Sequence, residues 1–166
     1  MIELIKSDAK DLNKIAVLAE QIWNIHYPPI IGRAQVDYML MRFYNLDSLI
    51  EQQQEGQDFY IIRENAINLG FISISKKTDG FYFIHKFYIN TSQQGRGIGE
   101  KTFEKIQTLF EKIQTLTTIH LTVNRLNYKA INFYFKIGFK IKETADFDIG
   151  SGYQMNDFIM EWQGNI

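Results

Sequence analysis

Three glycines stand close together in the middle of the sequence, in the run Gln94-Gly95-Arg96-Gly97-Ile98-Gly99. Glycine lacks a Cβ atom, so the backbone can adopt positive φ angles and approach a ligand closely. A segment with helical spacing of apolar residues follows, and the first N–H groups of a helix have no partner within it. These N–H groups and the helix dipole attract anions. With Arg96 and Lys101 adding positive charge, we expect the loop to bind a phosphate or diphosphate.

Two common phosphate-binding motifs do not fit this run. The dinucleotide fingerprint begun at Gly95 needs glycine at position 100, where Glu100 stands, and it expects an early parallel βαβ unit. The nucleoside triphosphate loop needs glycine directly before Lys101, and Gly99 comes one residue too early. A simple glycine-containing connection is the structural alternative at this point.

The elements that position this loop follow from the spacing of apolar residues. Helical spacing dominates the first third of the chain, and alternating aromatic and β-branched residues favour strands in the middle. The expected N-terminal elements are a strand at 2–5, a helix capped by Asp8 or Asp11 and stopped by Pro28 and Pro29, a helix at 34–43, and a helical turn from its cap Asp47 to Glu55. Strands at 58–63, 67–75 and 81–89 follow.

Beyond the loop the pattern alternates between helix and strand. One apolar helix face is formed by Ile98, Thr102, Ile106, Leu109, Phe110 and Ile113. The remaining elements are a strand at 118–123, a helix at 128–136 ended by Gly138, and strands at 139–144 and 155–162. The sequence thus predicts one domain over 1–166 with an α+β fold, in which helices flank a mixed, mostly antiparallel central sheet.

A second motif lies downstream of the loop, with Asn127, Ala130, Phe133-Tyr134 and Gly138-Phe139 in the pattern N-x-x-A-x-x-F-Y-x-x-x-G-F. The loop itself fits Q/R-x-x-G-x-G/A. Together and in this order, the two motifs closely resemble those of the GCN5-related N-acetyltransferase (GNAT) superfamily. With the flanking strands, the resemblance spans about residues 57–145.

The resemblance implies an acetyltransferase with a GNAT-like fold and acetyl-CoA as its cofactor. It maps the diphosphate onto the loop amides, the pantetheine arm onto the strand end at 87–89, like an added strand, and a hydrogen bond to that arm onto Asn127. Thr91 departs from the family, in which many members carry proline. The residues implied to hold acetyl-CoA are Phe87, Tyr88, Ile89, Gln94, Gly95, Arg96, Gly97, Ile98, Gly99, Lys101 and Asn127.

Two residues are candidates for proton transfer. An alkylamine with a pKa near ~10.4 is neutral in only about one molecule in two thousand at pH 7, so the site must remove a proton. His85 occupies a position where many relatives carry a carboxylate, and it is the candidate base, directly or through water. An ordinary strand histidine is the alternative. Tyr134 matches the family's proton donor to the leaving thiolate, although a phenol near ~10 is a weaker acid than a thiol near ~8.5. The alternative for Tyr134 is a core tyrosine.

The sequence indicates the residues that would contact the acceptor amine less specifically. Trp23 and Tyr27 are candidate substrate contacts, as is Asp148 for a cationic amine, although aromatic residues more often simply pack and acids in a loop more often face water. The segment 146–157 resembles the closing loop and strand of polyamine-acetylating members. Because the chain has no cysteine, a thiol-linked acetyl-enzyme cannot form, and direct attack in a ternary complex is the simpler hypothesis.

Composition restricts the other functional classes. The net charge of −1 and the absence of a basic patch argue against a nucleic-acid partner, and no apolar run is long enough for a membrane helix. Three scattered histidines give no metal motif, so no metal is expected. We expect a cytoplasmic enzyme with a small-molecule amine substrate, and exposed strand edges make a homodimer plausible. A non-catalytic CoA-binding sensor and an enzyme that acetylates a protein N-terminus or lysine remain the alternatives.

Overall fold

The structure is a computed structural model that describes residues 1–110 and 116–165 of the 166-residue chain. The strands are β1 (Ile2–Lys6), β2 (Asp58–Glu64), β3 (Ile67–Thr78), β4 (Phe81–Ile89), β5 (Leu116–Asn124), β6 (Lys140–Gly150) and β7 (Tyr153–Asn165). The helices are α1 (Leu12–His26), α2 (Pro28–Ile31), α3 (Arg33–Phe43), α4 (Leu46–Gln54), α5 (Ile98–Phe110) and α6 (Tyr128–Lys136). Ile113, which was assigned to the apolar face of the helix at α5, lies outside the described residues.

The seven strands form one sheet in the order β1-β2-β3-β4-β5-β7-β6. The pairs β1–β2, β2–β3, β5–β7 and β6–β7 are antiparallel, whereas β4 and β5 are parallel where 81–84 faces 118–121. A parallel pair requires a crossover connection, and α5 lies in the segment that joins these two strands. The predicted α+β fold with a mostly antiparallel sheet is confirmed.

The chain divides into two compact units, one formed by Met1–Ser75 with His85–Ile106 and the other by Lys76–Ile84 with Gln107–Ile166. In the first unit, α1, α4 and the strands β2 and β3 supply fully buried side chains, namely Leu12, Ile15, Leu49, Phe59, Ile62, Phe71 and Ile72. In the second unit they come from β5, β7 and the connection between α6 and β6, namely Ile119, Leu121, Phe139 and Met160. No described helix has the length and apolar content needed to cross a membrane.

Two expected helix caps differ from the structure. Asp11 occupies the N-cap position of α1 but its side chain accepts no capping hydrogen bond, whereas Asp8 Oδ1 accepts from the backbone N–H of Asp11 at 3.3 Å. The assignment of Asp47 as the cap of α4 was wrong. Asn45 is the cap, because its extended backbone lets Oδ1 accept from Ser48 N–H at 2.9 Å, and Asp47 lies inside the first turn.

The C-terminal hairpin is longer than the sequence indicated. Strands were expected at 139–144 and 155–162, with a closing loop between them, but most of that loop belongs to β6 and β7. Only Ser151 and Gly152 form the turn, and both have positive φ angles, 53° and 78°. A two-residue turn of this kind joins antiparallel strands tightly, so the flanking acids Asp146 and Asp148 lie on a strand.

Candidate active site

The glycine loop of the first unit lies between β4 and α5. A short 3-10 turn (Thr91–Gln93) follows the strand, and Asn90 Oδ1 accepts from the backbone N–H of Ser92 at 3.1 Å. Gly95 and Gly97 have φ angles of 82° and 71°. A Cβ atom built on either glycine would meet no protein atom within 4 Å. The backbone here is therefore open to a ligand, and the loop fits a diphosphate held by backbone amides.

The start of α5 is anchored by apolar packing. Ile98 is buried against Ile2, Ile62 and Leu69, which fixes the first helical residue. Gly97, which precedes it, has no side chain that can cap the helix, and its carbonyl accepts from the backbone N–H of Lys101 at 3.1 Å. The first amides of the helix are thus held in place without a side-chain cap from Gly97, as anion binding requires.

The polar side chains of the loop have partners of their own. Arg96 forms an ion pair with Glu64 at 2.8 Å and donates to Gln93 at 2.5 Å, so its charge is already offset. Gln94 Nε2 donates to the carbonyl of Ile89 at 3.2 Å, whereas the buried Gln94 Oε1 has no hydrogen-bond partner among the described residues. Lys101 is exposed. Of the two cations expected at the loop, Lys101 is the more available to a ligand.

The end of β4, where the pantetheine arm is expected, requires a glycine that the sequence reading did not single out. A Cβ atom on Gly70 would overlap the carbonyl oxygen of Tyr88, so β3 can approach this part of β4 only with glycine at that position. Phe87 and Ile89 pack beside the cluster that holds Ile98, and Tyr88 contacts aromatic rings of the first unit. The end of β4 and the start of α5 therefore pack on the same apolar cluster.

His85 lies in the middle of β4 and is half-buried. Its Nε2 lies 2.7 Å from the Ser75 hydroxyl, which is a hydrogen bond whose direction depends on the tautomer. Ser75 itself is 6% exposed. The bond fixes the orientation of the imidazole ring, a feature that a base needs and that the sequence alone did not reveal.

The neighbouring residue Lys86 is a buried cation on the opposite face of the strand. It is 8% exposed, and its Nζ donates to the side-chain oxygens of Gln52 at 2.5 Å and Gln57 at 3.3 Å. The rings of Tyr44 and Phe59 each lie 5.5 Å from Nζ. Burial lowers the pKa of Lys86 to about 8. Two amide oxygens and two aromatic rings thus surround this charge.

The predicted substrate contacts Trp23 and Tyr27 belong to an aromatic cluster of the first unit. Their rings stack with centroids 4.1 Å apart, and Trp23 also contacts Tyr44 at 5.1 Å and Tyr88 at 5.6 Å. Trp23 is 2% exposed and Tyr27 8%. Burial raises the pKa of Tyr44. Both residues are packed inside the protein, which is the alternative stated for them above. Their contact with a substrate stays a prediction.

In the second unit, Asn127 and Tyr134 lie on the same helix. Asn127 is the N-cap of α6, is 3% exposed, and accepts from the backbone N–H of Ala130 at 3.4 Å. Tyr134 is 7% exposed and packs against the rings of Phe133 and Phe139, with centroids 5.4 Å and 5.6 Å away. Burial raises the pKa of Tyr134. The phenol therefore keeps its proton and suits hydrogen-bond donation better than full proton transfer.

The second unit also contains a buried carboxylate. Asp157 on β7 is 1% exposed. Burial raises its pKa to about 6, an effect that Thr122 and Arg125 reduce and Asp146 reinforces. Asp148, the predicted substrate contact, is exposed on β6 and accepts from the backbone N–H of Gly150 at 2.8 Å. Within the described ranges, no cluster of His, Asp or Glu suited to a metal ion occurs.

Comparison with known proteins identifies the class. The family model of the acetyltransferase (GNAT) family matches residues 19–139, so the chain belongs to this family. Spermidine N(1)-acetyltransferase of Thermoplasma acidophilum is 24% identical over 96% of both chains, and an N-acetyltransferase of Mycobacterium tuberculosis is 22% identical over 90% of this chain and 96% of its own. The predicted enzyme class, an acetyltransferase with the family cosubstrate acetyl-CoA, is confirmed.

Solved structures share the fold. The PaiA N-acetyltransferase of Thermoplasma acidophilum, solved in complex with coenzyme A, superposes with a TM-score of 0.79 at 22% identity and covers 99% of both chains. Naa50 of Arabidopsis thaliana, bound to the bisubstrate analogue CoA-Ac-MVNAL, has a TM-score of 0.67 at 18% identity over 96% of this chain and 97% of its own. At these identities the likeness shows the fold alone.

Proposed function

We propose that the protein transfers the acetyl group of acetyl-CoA to a primary amine of a small, polyamine-like molecule, by direct attack in a ternary complex. The observation that carries the proposal is the open glycine loop before α5, where Gly95 and Gly97 have positive φ angles and open space at the position of a Cβ atom. The likeness to a spermidine acetyltransferase over 96% of the chain supports the choice of acceptor.

The residues that would hold acetyl-CoA lie on three elements. The Gln94 N–H already donates to the carbonyl of Thr91 at 3.3 Å, so the amides of 95–99 would bind the diphosphate, with Lys101 adding charge. The end of β4 at 87–89 would pair with the pantetheine amides. Asn127 would hydrogen-bond the same arm. When bound, acetyl-CoA supplies a thioester carbonyl as the electrophile and a thiolate as the leaving group.

His85 is the proposed base. The acceptor amine is mostly protonated at neutral pH and cannot attack until it loses a proton. Histidine is the side chain best suited to exchanging a proton near neutral pH, so the His85 imidazole would accept this proton, directly or through a water molecule. The hydrogen bond to Ser75 at 2.7 Å supports this role because it holds the ring in one orientation.

Tyr134 is proposed to stabilise the leaving thiolate. Because burial raises its pKa, the hydroxyl remains a donor throughout the working pH range. A hydrogen bond to sulfur that strengthens as negative charge develops lowers the barrier without complete proton transfer. This role also avoids the cost of moving a proton from a weaker acid to a stronger one.

For the acceptor, the exposed carboxylate of Asp148 supports attraction of a cationic amine from solution. Trp23 and Tyr27 are buried, so their proposed role is to form a rigid apolar wall rather than to move onto the substrate. Both assignments depend on the polyamine-like acceptor.

The test is release of free thiol from acetyl-CoA across a panel of amines. We expect spermidine and related polyamines to give kcat/KM values at least about tenfold above those of peptides with free N-termini and of aminoglycosides. Higher kcat/KM values with peptides would indicate that the acceptor is a protein N-terminus rather than a polyamine. Cofactor binding without turnover on any amine would favour a sensor and refute catalysis.

A matched pair of variants tests the base. His85→Gln should lower kcat/KM about 100-fold and remove the acidic limb of the pH profile. His120→Gln, which alters another strand histidine that is paired with Glu161 at 2.6 Å, should leave that limb in place. Equal pH profiles for wild type and His85→Gln would remove His85 from the mechanism.

A further inference from the structure

Lys86 carries a buried positive charge that the proposed mechanism does not use. Its side chain is held by two neutral glutamine oxygens, Gln52 Oε1 and Gln57 Oε1. Among the described residues, no ion pair with a carboxylate involves Lys86, and burial rather than a neighbouring charge shifts its pKa. A buried cation without a counter-ion destabilises a fold, which points to a role for this charge other than stability.

The two glutamines are oriented so that their oxygens face this charge. Gln52 Nε2 donates to the carbonyl of Phe43 at 2.8 Å, which leaves Oε1 for the lysine. Gln57 Oε1 also accepts from the Ser73 hydroxyl at 2.6 Å. A glutamate at either position would neutralise Lys86, whereas glutamine satisfies its hydrogen bonds and leaves the charge in place.

The ionisable groups on the elements packed against Lys86 do not offset its charge. Burial raises the pKa of Tyr44, so the phenol whose ring lies 5.5 Å from Nζ stays neutral. His85, the preceding residue on the strand, is bonded to Ser75. The acids of α4 and of the chain that follows it into β2 are exposed, namely Asp47, Glu51, Glu55 and Asp58. The last of these pairs with Lys6 at 2.9 Å.

Lys86 lies at the thioester end of the proposed cofactor site. The diphosphate is assigned to the loop beyond β4 and the pantetheine arm to 87–89, so the arm runs back along the strand toward residue 86. The proposed base His85 is the next residue, with its Cα about 3.8 Å from that of Lys86. On the other side, the ring of Tyr44 contacts both Lys86 and Trp23 of the proposed acceptor wall.

We propose that the charge of Lys86 determines acceptor specificity by disfavouring amines that carry a second positive charge close to the reacting nitrogen. This role rests on the proposed function and narrows its substrate class to polyamine-like molecules whose ammonium groups are widely spaced. Repulsion between like charges is strong in a desolvated site and falls with distance. A distant ammonium group is therefore tolerated, whereas crowded ammonium groups, as in aminoglycosides, are rejected.

Two primary amines of the same shape test this role. In 3-aminopropyltrimethylammonium, three methylene groups separate the reacting amine from a permanent positive charge, and 4,4-dimethylpentylamine is its neutral isostere. The discrimination ratio is kcat/KM for the neutral amine divided by kcat/KM for the cation. Calorimetric Kd values for the enzyme–CoA complex give a second discrimination ratio without turnover. A cation with eight methylene groups in place of three should be discriminated against much less.

Removing the net charge should relax the discrimination. Gln57→Glu retains Lys86 and the oxygen that accepts from Ser73, and its carboxylate neutralises the lysine. At pH 7 it should lower both ratios about fivefold relative to wild type. Lys86→Gln reaches a neutral site by a second route and should behave in the same way. Gln54→Glu adds the same charge at an exposed position of α4 and should keep the wild-type ratios. Thermal unfolding verifies that each variant folds.

The pH dependence separates charge from packing. Because burial lowers the pKa of Lys86 to about 8, its charge is present at pH 7 and is lost by pH 9. The wild-type ratios should therefore fall toward those of Gln57→Glu over this range, while the quaternary ammonium keeps its charge. Lys86→Arg should retain high ratios at pH 9, because the guanidinium stays protonated. This variant distinguishes titration of Lys86 from titration of His85.

Two kinds of outcome are decisive. Equal ratios in wild type, Gln57→Glu and Lys86→Gln at pH 7, or wild-type ratios that stay constant between pH 7 and 9, would overturn the role of Lys86 and leave amine acetylation intact. A wild type that acetylates no amine would overturn both proposals.

Discussion

The helices α4 and α5 of the first unit begin in different ways. At α4, Asn45 accepts from Ser48 N–H at 2.9 Å, and its own amide donates to the carbonyl of Met41 at 2.7 Å. At α5, the preceding residue is Gly97, which has no side chain, a φ of 71°, and open space where a Cβ would stand. The start of α4 is capped by an asparagine side chain, whereas the residue before α5 offers no side chain and leaves open space, as the proposed diphosphate site requires.

The start of α3 limits this conclusion. Gly32 also precedes a helix without a side-chain cap, has a φ of 84°, and has no atom within 4 Å of a built Cβ. A glycine before a helix is therefore not sufficient for a binding site. The loop before α5 differs because it carries three glycines in the family motif Q/R-x-x-G-x-G/A and lies between the end of β4 and Lys101.

The largest effect is expected from placing a carboxylate at the open helix start. In Gly97→Asp, the new carboxylate would fill the space proposed for the diphosphate and repel it. The Kd for CoA should therefore rise about 1,000-fold, roughly 4 kcal/mol. The positive φ adds a folding cost of about 1–2 kcal/mol. Calorimetric titration of CoA measures the change in affinity.

Gly32→Asp is the matched control for this variant, because it adds the same charge and the same kind of backbone strain at another helix start. It should leave the Kd for CoA unchanged. If both variants, or neither, weakened CoA binding, the distinction between the two glycine-led helices would be lost.

The second prediction concerns Asp157, the buried carboxylate of β7. Its folded pKa of about 6 exceeds the value of 3.8 expected when exposed, so the folded state binds this proton more tightly than the unfolded state. The contribution of Asp157 to stability is therefore fully present below about pH 4 and is lost as pH rises through about 6. The total change is up to about 3 kcal/mol.

Urea unfolding of wild type and Asp157→Asn across pH 4 to 7 measures this contribution as a difference. Relative to wild type, the asparagine variant should gain stability as the pH rises. A difference between wild type and Asp157→Asn that stays constant with pH would show that burial does not raise the pKa of this carboxyl group.

The third prediction separates chemistry from cofactor binding. Tyr134→Phe should lower kcat about 30-fold, roughly 2 kcal/mol, and leave the Kd for CoA within about twofold, because the hydroxyl acts only as charge develops on sulfur. Tyr82→Phe, at another buried tyrosine of the second unit, should change neither quantity. Equal turnover of Tyr134→Phe and wild type would end the catalytic assignment.

The smallest expected effects are those of replacing the two asparagine caps. Asn45→Ala and Asn127→Ala should each cost about 1 kcal/mol of stability, because each removes an acceptor from a helix start. Only Asn127→Ala should also weaken CoA binding, by a few-fold. Chemical unfolding and CoA titration of the two variants give both numbers, and equal affinities would make Asn127 a purely structural cap.

Local pattern predicted most of the elements. The bounds of α6 match the prediction at 128–136, and the strands at β2 and β4 match within one residue, since strong apolar periodicity decides them. The cap of α4 was missed because Asn45 and Asp47 are equally good cap residues, and only the backbone conformation of Asn45 distinguishes them. The two strands of the C-terminal hairpin were predicted too short because their acids and glycines are typical of loops.

Contacts between distant residues could not be predicted in the same way. The hydrogen-bond acceptors of Lys86 are Gln52 and Gln57. They lie more than 28 positions away in the sequence, and only folding brings them close to Lys86. Alternation along β4 does place Lys86 on the same face as Tyr82 and Ile84, which was an available sign of its burial. The bond between His85 and Ser75 likewise depends on the register of two strands.

Hydrogen–deuterium exchange with and without CoA tests the central claim most directly, because it reports on the backbone amides themselves. Saturating CoA should slow exchange at residues 95–99 and in the first turn of α5, and it should leave the Asn45-capped start of α4 unchanged. If CoA binds, as calorimetry would establish, and the amides at 95–99 exchange as fast as before, the glycine loop is not the diphosphate site.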